Sequence, residues 1–239
     1  MNLDYAISTF CYGERYYKQT NRLIESFEFL EIKPEIFIVT DSPESILKKE
    51  NVHVKNVELY DESYLKYEKD NYYSFDFSVK RFSLLFAFEN GYERVVLTDT
   101  DVVANSSIYS HDTIKNTFIE NSITGQVTYS FKDQIDTNSM LGRRFLHYEN
   151  FYNVEFDKDL LNEMVEDCIQ FVSINNGNAI KFINMWNELI KIKREDNLHN
   201  TPAGNIDEMC FAGLMNDIYN KNSSSKSVNA LIAIHDKWY

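Results

Sequence analysis

Asp99 and Asp101 stand two residues apart, directly behind the run Arg94-Val95-Val96-Leu97-Thr98. In an extended chain, residues two apart face the same side. Two carboxylates on one side repel each other unless a cation lies between them. A hard divalent ion takes oxygen ligands and readily shares them with phosphates. An acidic pair at a strand end therefore suits a metal-bound diphosphate leaving group, whose growing charge the metal offsets. The alternative is a solvated turn after a strand, where Asp is ordinary.

Such a pair needs a rigid platform, and the sequence around it supplies one. Tyr5–Tyr12 reads as a strand, and Arg15–Leu30 as a helix with Leu23, Ile24, Phe27 and Leu30 at helical spacing before Pro34. Glu35–Asp41 (EIFIVTD) is a short apolar run of the kind buried on both faces of a sheet. Asp41-Ser42-Pro43 is a turn with an N-cap for a short helix, and Val52–Leu59 alternates as a strand. Ser78–Asn90 is a helix rich in Phe and Leu that Gly91 stops, and Arg94–Thr98 is the next strand. Strand, helix, strand, helix, strand predicts an α/β fold with a mostly parallel central sheet flanked by helices. In such sheets ligands sit beyond the carboxyl ends of the strands, where the two aspartates lie.

The second half is less regular. Ile123–Phe131, Ile169–Ile174 and Leu231–Ile234 read as strands, and Asp159–Glu166, Ala179–Lys193 and Asp207–Ile218 as helices. Asn220–Ser227 (NKNSSSKS) reads as a mobile polar loop, and there is no internal repeat.

Composition bounds the partners. The 239 residues are 44% hydrophobic, enough for the core of a single domain, and seven Gly and three Pro leave no flexible linker. A net charge of −13 repels phosphate backbones and anionic lipid, so nucleic acid is not an expected partner. The basic run Lys191–Arg194 lies among acidic residues and reads as a solvated helix face. Cys11, Cys168 and Cys210 form no CxxC pair, and an odd count argues against a disulfide framework, which suits a reducing compartment. No signal peptide and no apolar run of about 20 residues is evident, so the expectation is a soluble cytoplasmic protein, peripheral at a membrane if it meets one.

The strand followed by DxD after a βαβ start resembles the GT-A class of glycosyltransferases. Asp76-Phe77-Ser78-Val79-Lys80-Arg81-Phe82 resembles the D-hydrophobic-S-x-x-R-hydrophobic segment of glycosyltransferase family 6, the blood-group A/B and α-1,3-galactosyltransferase family. Phe10-Cys11-Tyr12-Gly13-Glu14-Arg15-Tyr16 is similar to that family's opening strand and uracil-cupping turn, and Glu35–Pro43 to its second strand. Gly125-Gln126-Val127-Thr128-Tyr129 resembles its acceptor-holding segment, and Asn205-Ile206-Asp207-Glu208 stands where the family has W-H-D-E. Tyr129 and Phe131 replace acceptor-site tryptophans, Asn175-Asn176-Gly177 replaces F-G-G, and Ile206 replaces His. With no anchor segment evident, the likeness is to the bacterial and phage-type members.

The resemblance implies one catalytic domain over 1–239, with a nucleotide-binding half at 1–105 and an acceptor half with a C-terminal tail at 106–239. It implies transfer of a hexose or N-acetylhexosamine, galactose or N-acetylgalactosamine, from a UDP-sugar to a saccharide, with retention of configuration and with Mn²⁺ or Mg²⁺. The donor would meet Phe10, Cys11, Tyr12, Tyr16, Asp76, Phe77, Arg81, Asp99, Thr100 and Asp101, and the acceptor Gln126, Tyr129 and Asn176. Arg81 would pair with the diphosphate in a forked geometry, or is a surface arginine beside Lys80. Glu208 would face the anomeric carbon as nucleophile or stabilising charge, with Asp207 beside it as N-cap or sugar ligand; otherwise Glu208 is a helix-start residue. His235, just after the last apolar strand, is a third metal ligand of the kind family 8 of the glycosyltransferases uses at its C-terminus, or part of a surface tail.

Two other functions fit parts of this pattern. Asp99-Thr100-Asp101-Val102-Val103 also matches the D-x-D-x-[T/V] motif of haloacid-dehalogenase-type phosphatases, with Asp99 as nucleophile. That motif sits on the first strand of its fold, whereas three strands precede it here, and no later GDxxxD segment occurs. A non-catalytic sugar-nucleotide-binding module is the other, and it predicts binding without turnover.

Overall fold

The computed structural model describes residues 3–57, 80–125, 169–175, 178–180, 183–184, 220–223 and 230–233. Strands β1 (Ala6–Cys11), β2 (Glu35–Thr40), β3 (Val52–Asn56) and β4 (Arg94–Thr98) are mutually parallel where they pair, in the order β3-β2-β1-β4. Beyond β4 the sheet continues through β7 (Ile169–Ser173), β6 (Ser122–Gly125) and β8 (Asn220–Ser223), seven strands in all. There β7 runs antiparallel to both β4 and β6, and β8 is parallel to β6.

Both faces of the sheet are covered, as the unbroken apolar runs require. Alternate residues divide between two cores. Ala6, Phe37, Val95 and Leu97 pack with Leu84, Ala87 and Phe88 of helix α2 (Lys80–Glu89) and with Ala179 and Ile183. On the other face Ile7, Ile36, Ile38 and Val96 pack with Leu23 and Ile24 of helix α1 (Glu14–Glu25), and with Tyr109, Ile114 and Phe118 in and around helix α3 (His111–Lys115). All six residues of β1 are buried. Each such Val, Ile, Leu or Phe side chain contributes roughly 1.5–3 kcal/mol on burial.

Strand and helix positions follow the sequence pattern closely in the first half, and one helix end differs for an identifiable reason. Helix α1 stops at Glu25, five residues before the expected Leu30, and 3₁₀-type turns carry the chain on. The Ser26 hydroxyl donates to the Leu23 carbonyl (2.7 Å) and accepts the Ala104 amide (2.9 Å), so a side chain replaces the next helical bonds and ties the helix end to the neighbouring strand. Gly91 ends α2 as expected, with φ +87° and its amide on the Phe88 carbonyl at 2.9 Å.

A small second sheet pairs β5 (Val102–Ala104), which periodicity did not reveal, with β9 (Leu231–Ala233), antiparallel. The expected polar loop Asn220–Ser227 is corrected in part, because Asn220–Ser223 is strand β8 at the edge of the large sheet. An edge strand is held by backbone pairing and needs no apolar alternation. The expected helices Asp159–Glu166 and Asp207–Ile218, and most of Ala179–Lys193, lie outside the described residues, although 178–180 and 183–184 are helical. Among the described residues, no helix is long and apolar enough to cross a membrane.

Candidate functional site

The strand order places a crevice. From β1 the chain moves outward to β2 and β3, and the next described strand, β4, lies on the other side of β1. Adjacent connections leave in opposite directions here, and a crevice opens beyond the carboxyl ends of β1 and β4. The Thr9 hydroxyl donates to the Thr98 carbonyl at 2.9 Å, locking the two strand ends in register one residue before Asp99.

A pocket of about 210 Å³ occupies this crevice, lined by Phe10, Tyr12, Arg15, Tyr16, Gln19, Lys80, Asp99, Thr100 and Asp101. Three local devices shape it. Gly13 closes β1 and opens α1 with φ +91° and ψ 156°, a backbone state nearly confined to glycine, and its carbonyl accepts the Tyr16 amide at 3.0 Å. This sets Arg15, Tyr16 and Gln19 along the pocket on the first turns of α1. The Thr100 hydroxyl then donates to the Gln19 side-chain oxygen at 2.7 Å, a buried bond that pins the middle of the acidic segment to α1. Thr100 and Asp101 form a turn between β4 and β5 rather than an extension of β4, and all three residues Asp99-Thr100-Asp101 line the pocket.

The electrostatics are mixed by design of the sequence. Two carboxylates share the pocket with the Lys80 ammonium and the exposed Arg15 guanidinium, which lies 5.8 Å from the Tyr16 ring centroid. Lys80 makes an ion pair with Asp99; their side chains are 14% and 34% exposed. Oδ1 of Asp101 is buried. Carboxylates that can hold a cation, basic groups that can meet an anion and aromatic side chains thus share one small crevice.

Of the expected donor-site residues, Phe10, Tyr12, Tyr16, Asp99, Thr100 and Asp101 are brought together. Cys11 is placed elsewhere. Its side chain faces the α1 core, 1% exposed, because it alternates with Phe10 and Tyr12 along the strand. Burial pushes its thiol up to about 11, only partly offset by hydrogen bonds with Thr20 and Thr40. Arg81 is fully buried, its guanidinium 4.2 Å from the Phe82 ring centroid, while its neighbour Lys80 faces the pocket. Asp76, Phe77, Gln126, Tyr129, Asn176, Asp207, Glu208 and His235 lie outside the described residues.

Sequence reasoning missed Arg15, Gln19 and Lys80 as pocket residues. Arg15 and Gln19 are four apart on α1, one helical turn, which was a readable signal once the helix start was fixed. For Lys80 no signal distinguished it from Arg81, since adjacent helix residues point about 100° apart and the phase of α2 was unknown.

No family model and no curated protein sequence matches the chain. Among solved structures the chain is similar to mouse xyloside xylosyltransferase 1 in its apo form, at 11% identity and a TM-score of 0.43 over 88% of this chain and 81% of that one. It is also similar to apo WbbM, a bifunctional glycosyltransferase, at 13% identity and a TM-score of 0.48 over 80% of this chain. The chain spans 34% of the WbbM chain, about a third of its length.

Proposed function

We propose that the chain is a metal-dependent glycosyltransferase of the GT-A type that takes a nucleotide-diphospho-sugar donor, with the diphosphate lying over Asp99 and Asp101. The observation that carries this reading is the Asp99-Thr100-Asp101 turn, pinned by Gln19 at the carboxyl ends of β1 and β4 in one pocket with Arg15 and Lys80. Two carboxylates alone would repel a diphosphate; with a divalent cation on them, and two basic side chains beside them, they bind one.

The residues present fit such a metal. Both carboxylates are hard oxygen donors, Asp101 turns a buried oxygen inward, and Asp99 already holds a cation in the form of the Lys80 ammonium. Among the described residues no group of three or more His, Cys, Asp and Glu gathers as a metal cluster, so further ligands come from phosphate oxygens, water or residues outside that set. His235 is a candidate. Ala233 pairs with Val102, one residue from Asp101, so β9 delivers the chain to this end of the acidic turn two residues before His235. Bound there, Mn²⁺ or Mg²⁺ would offset charge on the leaving diphosphate.

The chain's own side chains do the rest. Phe10, Tyr12 and Tyr16 offer the aromatic surface for a base, in keeping with the uracil-cupping turn the opening segment resembles, so the donor is read as a UDP-sugar. Arg15 and Lys80 supply charge-assisted hydrogen bonds to phosphate. The transferred hexose or N-acetylhexosamine, a saccharide acceptor held by Gln126, Tyr129 and Asn176, and retention assisted by Glu208 and Asp207 rest on the family resemblance.

The test is a thermal-shift series with UDP, GDP and ADP, each with and without Mn²⁺, followed by UDP-sugar hydrolysis. A ligand at about 100 times its Kd stabilises the fold by about 2.7 kcal/mol. UDP with Mn²⁺ gives the largest shift. Equal shifts for the three nucleotides remove the uridine assignment, and no shift with any of them, together with hydrolysis of p-nitrophenyl phosphate, turns the reading to a phosphatase.

A further inference from the structure

We infer that Lys80 is an internal counter-ion that occupies Asp99 until metal and nucleotide arrive together, and then transfers to the diphosphate. This rests on the proposed function and adds to it a residue and an order of binding. Lys80 is the first residue of α2, and its ammonium reaches the acidic turn to pair with Oδ1 of Asp99. The pair is sheltered on the lysine side, 14% exposed, and lies in the wall of the pocket rather than on the outer surface. Arg15, the other basic residue there, is exposed and lies by the Tyr16 ring. The two cations thus hold different stations: Arg15 is exposed beside the Tyr16 ring, and Lys80 sits on the carboxylate a metal would need.

A divalent ion and an ammonium compete for the same carboxylate oxygen. Metal alone must displace Lys80 from Asp99 and set its own charge beside the ammonium in the same pocket, which is unfavourable. Nucleotide alone meets two carboxylates of which only Asp99 is offset by Lys80, and the remaining charge repels its phosphates. Together they resolve both conflicts, because the metal takes Asp99 and the released ammonium finds phosphate oxygens within the same pocket. Lys80 therefore makes metal and nucleotide binding cooperative, and by linkage each raises the other's affinity by one common factor. The aspartates are the metal's ligands; Lys80 is a positioning residue that sets when they become available.

The experiment measures binding rather than turnover. Free Mn²⁺ is titrated with wild-type protein by electron paramagnetic resonance, with and without UDP, and UDP is titrated by calorimetry with and without Mn²⁺. Lys80→Met removes the counter-ion while keeping the stem. The expected result is a pair of opposite changes: Mn²⁺ alone binds on the order of 10-fold tighter, and UDP in the presence of Mn²⁺ binds on the order of 10-fold weaker. With UDP-alone affinity unchanged, the cooperativity factor then falls by about 10-fold, by the same amount whichever ligand is titrated. Lys80→Arg, which keeps the charge, retains the wild-type cooperativity, and Lys80→Gln repeats the Met result should the Met variant not fold. A Lys80 with a merely structural role would weaken both ligands together, and that outcome, or unchanged Mn²⁺ affinity in a variant whose wild type binds both ligands, overturns the inference. If the wild type binds neither Mn²⁺ nor UDP, the proposed function falls as well, so the two failures are told apart by the wild-type titration.

Discussion

The parallel strands β1 and β4 carry polar clusters at both ends, and the two ends differ in whether those groups surround a cavity. At the amino end the Tyr5 hydroxyl meets the Tyr109 hydroxyl and Nδ1 of His111, each at 2.7 Å, and Nε2 of His111 meets the Ile32 carbonyl at 2.9 Å. Asp4 beside it accepts Arg94 and Lys115, both at 2.9 Å. This network is closed: the Tyr109 ring packs edge-on against Phe27 and the Tyr5 ring at a tilt against Phe118, with Tyr5 and Tyr109 buried. At the carboxyl end, Asp99 and Asp101 open onto a pocket of about 210 Å³ with Arg15 and Lys80 in its wall. Satisfied polar groups packed among aromatics stabilise a fold; charged groups that line a cavity, even when paired with each other as Lys80 and Asp99 are, can be reached by a ligand. The presence of titratable residues does not separate the two ends, and the space between them does.

The largest effect that would break this contrast is at Asp101. Asp101→Asn removes half the formal charge of the acidic pair and is expected to lower UDP-sugar turnover on the order of 10²-fold or more, and to weaken Mn²⁺-dependent UDP binding, with melting temperature near wild type. Asp99→Asn is equally damaging or slightly less so. Near-normal transfer by the Asp101 variant, measured with saturating Mn²⁺, would place the metal elsewhere.

Next in size is Gly13, where the site depends on backbone. A Cβ at Gly13 meets no heavy atom within 4 Å, so Gly13→Ala adds no clash, only the cost of holding alanine at φ +91°. That cost is about 1–3 kcal/mol. Relaxing it turns the start of α1, and with it Arg15, Tyr16 and Gln19, so UDP affinity is expected to fall along with stability. A stability loss with unchanged UDP affinity would show that α1 holds its place without the turn.

How much of this was legible follows the same division. β4 reads from its sequence residue for residue, and Gly91 as a helix stop, because an apolar run and a positive-φ glycine are local properties. The acidic pair was legible too, since a strand end fixes where it stands. The assignment of Cys11 to the donor site treated a whole segment as one unit, whereas the pleat sends Phe10 and Cys11 to opposite faces. The choice between Lys80 and Arg81 needed the rotation of α2 about its axis, which its mostly apolar sequence does not encode. β5 was missed and β8 misread because strands of three or four residues are fixed by their partners, Val102 by Ala233 and Ser122 by Asn220, whereas the apolar run of β9 read as a strand. His111 carried no pattern at all; its partners Tyr5 and Ile32 are 106 and 79 residues away.

A smaller effect tests the closed end. Tyr109→Phe keeps the ring against Phe27 and removes only the hydroxyl, while Tyr5 retains His111. The expected loss is about 0.5–1.5 kcal/mol with UDP affinity unchanged. The pH dependence carries a sign. Burial pushes the Tyr5 and Tyr109 hydroxyls above the ordinary tyrosine value, so their ionisation favours the unfolded chain. Their contribution is complete below pH about 10 and is lost as pH rises above it. Denaturant midpoints between pH 8 and 11 should therefore fall less steeply in Tyr109→Phe than in wild type, and parallel curves would place the alkaline sensitivity elsewhere.

The smallest effect is at Asp4, and it measures how little a surface charge cluster contributes beside a pocket of the same charge types. Asp4 is 48% exposed, and burial alone would push its carboxyl up. The hydrogen bond from Lys115 and the charges of Lys115 and Arg94 outweigh this and hold it below the usual carboxylate range. A depressed folded value means the ion pairs stabilise above the unfolded value near pH 4, and that this is lost as pH falls through the folded one. Exposed pairs contribute about 0.2–1 kcal/mol each, and salt screens them. Asp4→Asn is therefore expected to lower stability at pH 7 by at most about 1–2 kcal/mol, with the difference from wild type shrinking both at pH 2 and in 1 M salt. Mn²⁺ and UDP binding should not change, because Asp4 and the acidic turn lie at opposite ends of the strands. A pH 7 difference that survives at pH 2 would assign the loss to packing rather than charge. A change in Mn²⁺ affinity would show that the two ends of the sheet are coupled after all, and that the closed network at the amino end also tunes the site at the other.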